Sequence, residues 1–205
     1  GVRILTRNDP RLGKTMLDKA IAALACIALA PLMALICIII KLDSRGPVLF
    51  VQQRHGLDNK VIRVFKFRTM YSAHCQDYTA AQAVRDDRRV TRAGRLLRST
   101  SLDELPQLLN VLKGDMSIVG PRPHPLLLNE RFSPLIPGYD KRHTVKPGIT
   151  GWAQVNGWRG ETDTVAKMQG RVDHDLYYVE NWSFVFDLRI IASTALLGWV
   201  GKNAY

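Results

Sequence analysis

From Ala20 to Ile40 the chain runs for 21 residues without one charged or strongly polar side chain. A helix of that length reaches about 31 Å, the thickness of one hydrocarbon core. Core helices of soluble proteins this long normally carry a polar stripe. A secretory leader has a shorter apolar core, followed by a small-residue cleavage site. The pattern therefore predicts a membrane helix. Two features complicate a simple crossing. Pro31 sits near its centre, where proline removes a backbone hydrogen bond and crowds the preceding turn. Both flanks are basic, with Arg11, Lys14 and Lys19 before the run and Lys41 and Arg45 after it. Basic residues favour the cytoplasmic side, so equal bias leaves a straight span poorly oriented. The residues alone leave two readings open: a kinked transmembrane helix, or a helix that breaks at Pro31 and returns to the same face.

After residue 45 the pattern becomes mixed and short-ranged. Val48–His55 and Val61–Met70 are β-rich and flank Gly56-Leu57-Asp58-Asn59-Lys60, a hairpin signal. In the second run Lys66 and Arg68 fall on one face, Phe65 and Phe67 on the other. Residues 74–90 are polar without a period, hence a surface loop or short helix. Arg88, Arg92, Arg95 and Arg98 recur at helical spacing and predict an arginine face. Leu102–Leu112 has helical periodicity and stops at Lys113-Gly114. Met116–Val119 is expected as a strand, Gly120–Pro125 as a rigid loop, and residues 126–132 as a short helix. Pro134–Gly160, rich in Gly, Pro and Trp, is expected as loops and turns. Thr164–Glu180 and Ser183–Val200 read as helices. Gly170 weakens the first, and the second holds only Asp187 and Arg189 as charges, between Trp182 and Trp199. That second helix suits either core packing or the membrane interface.

Composition adds three constraints. With 205 residues, 46% hydrophobic and 23% charged, the chain suits one domain with an appendage and excludes a disordered protein. Cys26, Cys37 and Cys75 have no CxxC spacing, so neither a disulfide framework nor a zinc site is expected. Lys and Arg total 29 against 18 for Asp and Glu, a formal charge of +11. The expected partner is therefore anionic: nucleic acid, lipid headgroup or phosphorylated substrate. The cations are split among several segments and no nucleic-acid module is visible, which disfavours nucleic acid.

Ser99-Thr100-Ser101-Leu102-Asp103-Glu104-Leu105-Pro106 is a helix-start sequence. Ser101 and Glu104 fit a capping box, and Pro106 suits a first turn. Whether Ser101 or Asp103 caps stays open. Either way both carboxylates meet the positive end of a helix, where phosphate also binds. An ionised Asp beside arginines is a candidate nucleophile toward phosphorus. An adjacent Glu can hold Mg²⁺.

Four stretches together carry a resemblance. They are Phe65–Met70 (FKFRTM), Thr100–Gln107 (TSLDELPQ), Gly114–Pro123 (GDMSIVGPRP) and Lys146–Gly151 (KPGITG). In order and over nearly the whole chain, they resemble the bacterial sugar transferases, the monotopic polyprenyl-phosphate phosphoglycosyl transferases. The resemblance implies transfer of a hexose 1-phosphate from a UDP-sugar to undecaprenyl phosphate, with release of UMP. UDP-glucose and UDP-galactose are the expected donors, and the glycan an exopolysaccharide, capsule or O-antigen. It implies Asp103 as the nucleophile that forms a covalent phosphosugar intermediate, and Glu104 with Asp103 as Mg²⁺ ligands. Lys66, Arg98 and Arg122 are implied as phosphate ligands, and Asp175 as a further acidic site residue; Arg68, on the basic strand face with Lys66, joins them as a candidate substrate ligand.

The resemblance also tips the membrane reading toward a re-entrant helix broken at Pro31, at the cytoplasmic face of the bacterial inner membrane. The expected fold is mixed α/β (α+β), mostly helical with short strands and interfacial helices. Residues 1–45 would form the membrane segment and 46–205 the catalytic domain. Larger members carry an N-terminal membrane bundle and an extra soluble domain, so the chain is expected to be a catalytic-core form or a truncation. Specificity is expected in the loops around His124–Phe132 and Trp152–Glu161. Trp152 and Trp158 read as uracil or sugar stackers or, more commonly, as packing residues. Oligomeric state stays open, a homo-oligomer included.

Overall fold

The structure, a computed structural model, describes residues 10–72, 87–160 and 162–197. Cys75, Glu161, Trp199, the polar stretch 74–86 and the side chain of Arg11 lie outside the described residues. Within them the chain is mixed α/β, mostly helical with short strands. Helix α1 spans Pro10–Asp43. Strands β1 (Leu49–His55) and β2 (Val61–Phe67) pair antiparallel, from Leu49 opposite Phe67 to His55 opposite Val61. Their connection is a 3-10 turn, Leu57–Asn59, in which Asp58 and Asn59 adopt positive φ. Those two residue types reach that region most easily after glycine.

α1 is helical without interruption through Pro31, so the expected break is not a gap in the helix. Pro31 lies on the exposed side. The opposite side is a continuous stripe, from Asp18 and Ala22 through Cys26 and Leu29 to Leu32, Ile36 and Ile40. The first half packs on Val64, Leu108, Val111 and Met116, the second on Phe67 and Leu97. Each such apolar side chain, once buried, contributes about 1.5–3 kcal/mol. Polar anchors hold both ends. Ser117 Oγ donates to Asp18 (2.6 Å), and Lys14 pairs with Asp187 (2.5 Å). At the far end, Arg68 donates to the Ser44 carbonyl and hydroxyl. Outward-facing Leu24 and Ile27 are 69% and 74% exposed. α1 thus keeps an apolar outer face long enough to cross a membrane by length and composition.

Helix α2 (Arg92–Thr100) is capped by Thr91, whose hydroxyl accepts from Gly94 N. Arg88 lies in the preceding turn, so the four-arginine face is shortened to Arg92, Arg95 and Arg98. A Cβ on Gly94 would sit 2.0 Å from the Thr69 carbonyl. Only glycine lets α2 press onto that backbone. The expected helix Leu102–Leu112 is instead a 3-10 turn, Leu102–Glu104, followed by helix α3 (Gln107–Lys113). Ser101 takes a left-handed conformation (φ 61°) that ends α2, and Pro106 starts α3. The capping box does not form: Ser101 makes no cap hydrogen bond, and its hydroxyl accepts from Arg159.

The remaining elements are β3 (Ser117–Val119), α4 (Leu126–Phe132), β4 (Gly148–Thr150), α5 (Trp152–Val155), α6 (Val165–Glu180) and α7 (Phe184–Leu197). β4 pairs parallel with β3, inside a stretch expected to be loops. The pairing is tight, because a Cβ on Gly148 would lie 2.1 Å from Gly120 N. It fixes where the Pro121–Pro125 loop leaves the sheet. Thr164 caps α6 by accepting from Lys167 N. Gly170 of α6 leaves room for the Trp158 ring, 2.5 Å from where a Cβ would stand.

Candidate active site

The 3-10 turn after α2 carries Asp103 and Glu104 into the interior, at 9% and 7% exposure. Their surroundings differ sharply. Lys66 Nζ of β2 donates to Glu104 Oε1 (2.8 Å). Arg122 Nη1 and Nη2, from the loop after β3, donate to Oε2 (3.1 Å) and Oε1 (2.5 Å). Burial opposes ionisation of Glu104, but Arg122 and Lys66 override it and hold the carboxyl well below its usual 4.5. Asp103 makes no hydrogen bond or ion pair among the described residues. Burial pushes its pKa above the usual 3.8, with Glu104 adding to the rise; Lys66, Arg98 and Arg122 pull the other way. The pair is thus one carboxylate committed to a buried ion-pair triad and one whose oxygens are open beside cations.

Lys66, Arg98 and Arg122 are brought to the dyad as expected. Arg98 also donates from Nε to Thr69 Oγ1 (2.8 Å). Arg68 is not brought there. β2 ends at Phe67, the alternation ends with it, and Arg68 is 2% exposed with its guanidinium on Pro47 O, Ser44 O and Ser44 Oγ. It clasps the segment after α1 and, among the described residues, makes no hydrogen bond to either carboxylate of the dyad, its guanidinium being taken up by Pro47 and Ser44. Asp175 on α6 is 1% exposed and receives Nε and Nη2 of Arg142. It stands behind Arg122, whose carbonyl accepts from the same Arg142 (2.7 Å).

Sequence reasoning missed Arg54 and Arg159 at the site. Arg159 Nη2 donates to Ser101 Oγ (2.6 Å), beside the dyad. Its pKa is lowered by burial first and then by Arg122. Arg54 of β1 donates to the Pro123 carbonyl and to Gln52. Burial and then Arg122 push its pKa down to about 10. An arginine between Trp158 and Gly160, in a loop suspected of specificity, was a usable signal for Arg159; Arg54, in a polar strand stretch, offered none. Trp152 stacks on Tyr177 and meets Phe186 edge-on, and Trp158 packs against α6, so both serve packing.

For a divalent cation the donor set is limited. Among the described residues no cluster of three or more His, Cys, Asp or Glu exists. Two adjacent carboxylates, one of them open, fit Mg²⁺ bound jointly with substrate phosphates, the ion's usual habit. They do not fit a closed protein cage.

A buried, open carboxylate ringed by cations is an arrangement suited to attack on, or transfer of, a phosphoryl-type anion. The family model for bacterial sugar transferases matches residues 10–200, and the chain belongs to that family. It is 52% identical over 195 residues to the UDP-glucose:undecaprenyl-phosphate glucose-1-phosphate transferase of Escherichia coli (strain K12), covering 95% of this chain and 42% of the relative. A Caulobacter vibrioides protein of the same name is 48% identical over 203 residues, covering 98% of this chain and 75% of that one. A UDP-N-acetylgalactosamine-undecaprenyl-phosphate N-acetylgalactosaminephosphotransferase of Aeromonas hydrophila is 43% identical over 185 residues, with 88% and 42% covered. The chain thus spans about two fifths of several relatives it matches.

Proposed function

We propose that this chain transfers a hexose 1-phosphate from a UDP-hexose to undecaprenyl phosphate, releasing UMP, as a membrane step of surface-glycan synthesis. UDP-glucose is the first donor to test, because several relatives at about half identity carry it in their names. The observation that carries the reading is the open Asp103 carboxylate beside Lys66, Arg98 and Arg122, with Glu104 occupied by two cations.

In the first half-reaction an Asp103 oxygen attacks the sugar-bearing phosphorus of the donor. The bond from that phosphorus to the bridging oxygen breaks, and UMP leaves with the electron pair. In the second, a phosphate oxygen of undecaprenyl phosphate attacks the same phosphorus. A diphosphate forms and the Asp103 carboxylate is released. No net proton is needed in either step. Arg122, Lys66 and Arg98 offset the charge of two anions brought together in a low-dielectric site. The clasp on Glu104 fixes Arg122 and Lys66 in place before substrate arrives. Glu104, with Asp103, would hold Mg²⁺, which when bound supplies further charge neutralisation at the phosphate oxygens.

The membrane arrangement follows the same proposal. Both halves of α1 pack along one domain and both ends are anchored to it. A domain on one membrane face cannot line a crossing helix from end to end. This supports a monotopic protein at the cytoplasmic face of the inner membrane, its outer α1 face in lipid.

The deciding experiment follows UMP release from UDP-glucose without acceptor, alongside transfer of labelled sugar phosphate to protein. The wild-type chain should release about one UMP per active site and retain the label, whereas Asp103→Asn should do neither. Product formation by Asp103→Asn at the wild-type rate would remove Asp103 from the chemistry.

A further inference from the structure

Two further arginines, Arg142 and Arg171, are buried behind the site (2% and 4% exposed) and reach neither carboxylate of the dyad in any hydrogen bond of the structure. Each instead grips backbone at a site arginine. Arg142 Nη2 donates to the carbonyl of Arg122 itself (2.7 Å). Arg171 Nε donates to the Trp158 carbonyl (2.8 Å) and its Nη2 to the Gly160 carbonyl (2.6 Å), the two residues that flank Arg159. One imidazole lies between the two clamps. His124 Nδ1 is 2.6 Å from Arg142 Nη1 and 2.7 Å from the Tyr139 hydroxyl, and its Nε2 is 3.4 Å from Arg171 Nη1; uncharged, it accepts from only one of the two guanidinium groups. Asp175, one turn beyond Arg171 on α6, neutralises Arg142 through Nε and Nη2.

From this geometry we infer that Arg142 and Arg171, held on either side of His124, are positioning residues that aim Arg122 and Arg159 at a shared diphosphate-binding site. The inference rests on the anion-transfer reading above and deepens it. The loops that carry Arg122 and Arg159 have no regular secondary structure at those residues. A side chain on such backbone is precise only if something else fixes the backbone. A guanidinium suits the task because several rigid donors can hold carbonyls together. The imidazole must stay uncharged between two guanidinium groups. Burial first, and then Arg142 and Arg171, keep its pKa well below the usual 6.5. The imidazole is thus an uncharged spacer between the two clamps at physiological pH. Asp175 is assigned to this support and not to substrate contact.

Crossed double-mutant cycles on the full chain test this, with UDP binding measured by titration calorimetry. Arg142→Lys should weaken UDP binding roughly ten-fold in the wild-type background, but less than about two-fold once Arg122→Ala is present. With Arg159→Ala as background, its roughly ten-fold effect should persist. Arg171→Lys should behave in mirror image, coupled to Arg159→Ala and additive with Arg122→Ala. A general packing role would give additive losses in all four combinations, or equal coupling in all, and either result overturns the inference. If a Lys variant does not fold, His124→Asn decides. Its amide oxygen replaces Nδ1 toward Arg142 and leaves the Arg171 side empty, so it should couple to Arg159→Ala alone; coupling to both or neither overturns the inference. A wild-type chain that binds no UDP also overturns it. Binding of UDP without UMP release from UDP-glucose overturns only the transfer reaction.

Discussion

The arginines of α2 and those of the irregular loops make an instructive pair. On α2, Arg92 and Arg95 follow helical spacing and stand exposed, while Arg98 reaches Thr69 and the edge of the dyad. Arg122 and Arg159 share no period with anything, yet Arg122 reaches the Glu104 carboxylate and Arg159 the Ser101 hydroxyl beside the dyad. Helical spacing fixes which side chains share a face; it says nothing of what that face meets. The loop arginines are delivered by long-range pairing. β4 docks parallel on β3 through Gly148 and Gly120, and so the loop after β3 is turned toward the 3-10 turn at residues 102–104.

The comparison breaks first at Arg122. It provides two of the three hydrogen bonds on Glu104, so Arg122→Ala should cut UMP release by about 10²–10³-fold, the usual loss for one preorganised donor. A release rate within a few-fold of wild type would mean the loop arginines are no more engaged than those of α2. Arg68 forms a third group, neither exposed nor catalytic. Arg68→Ala leaves Ser44 O and Pro47 O without their donor, and it should lower folding stability by about 2–4 kcal/mol in denaturant titration. If the melting midpoint is unchanged but activity is lost, Arg68 belongs with the substrate ligands after all.

How much of this was legible beforehand divides along the same line. The hairpin, the long apolar run of α1, and α4, α6 and α7 were all readable, because each rests on local composition, periodicity or turn chemistry. Asp103 and Glu104 stand out as a carboxylate pair at a helix start and Lys66 on a basic strand face, while Arg122 rests on the resemblance; the structure joins Lys66 and Arg122 to Glu104, with Asp103 next to it. Arg68 was misplaced because alternation was extended one residue past the strand end. The capping box at Ser101 does not form because an N-cap takes an extended backbone, whereas Ser101 is left-handed and makes no cap hydrogen bond. β4 and Arg54 left no local signal, because their roles exist only once distant segments meet, and Arg159 left only its place in a Trp- and Gly-flanked loop.

The support beneath the loop arginines also predicts a pH response that α2 lacks. His143 is 5% exposed in the layer with Tyr139 and Asn129, and its pKa is pushed down to about 3 by burial, then by Arg142 and His55. The unfolded chain titrates this group near the usual 6.5, so between those values the unfolded state binds more protons. Stability is therefore complete above that ordinary value and falls as the solution is acidified toward the folded value. His124, whose pKa lies well below 6.5, works in the same direction. Urea midpoints measured from neutral to mildly acidic pH should fall for wild type and fall less steeply for His143→Gln. Parallel curves would show that another group controls the acid response.

The smallest effect is the sharpest test of the contrast. Arg92 and Arg95 carry full charge close to the dyad in sequence, and a purely electrostatic account would have them attract the donor over some distance. The structure gives them solvent on the outer face of α2, where charges beyond a Debye length of roughly 8 Å are screened at physiological salt. Among the described residues neither hydrogen-bonds to an acidic side chain, and neither is among the groups that shift Asp103 or Glu104. Replacing both with alanine should leave stability within about 0.5 kcal/mol and UMP release within about two-fold at 0.15 M salt. Alanine also favours the helix more than arginine does, so a small gain in melting temperature is allowed. Should the double variant lose activity ten-fold at that salt, and recover it when the lysine-bearing pair is introduced instead, α2 is a phosphate-binding face in its own right, and charge alone, not loop geometry, recruits the donor.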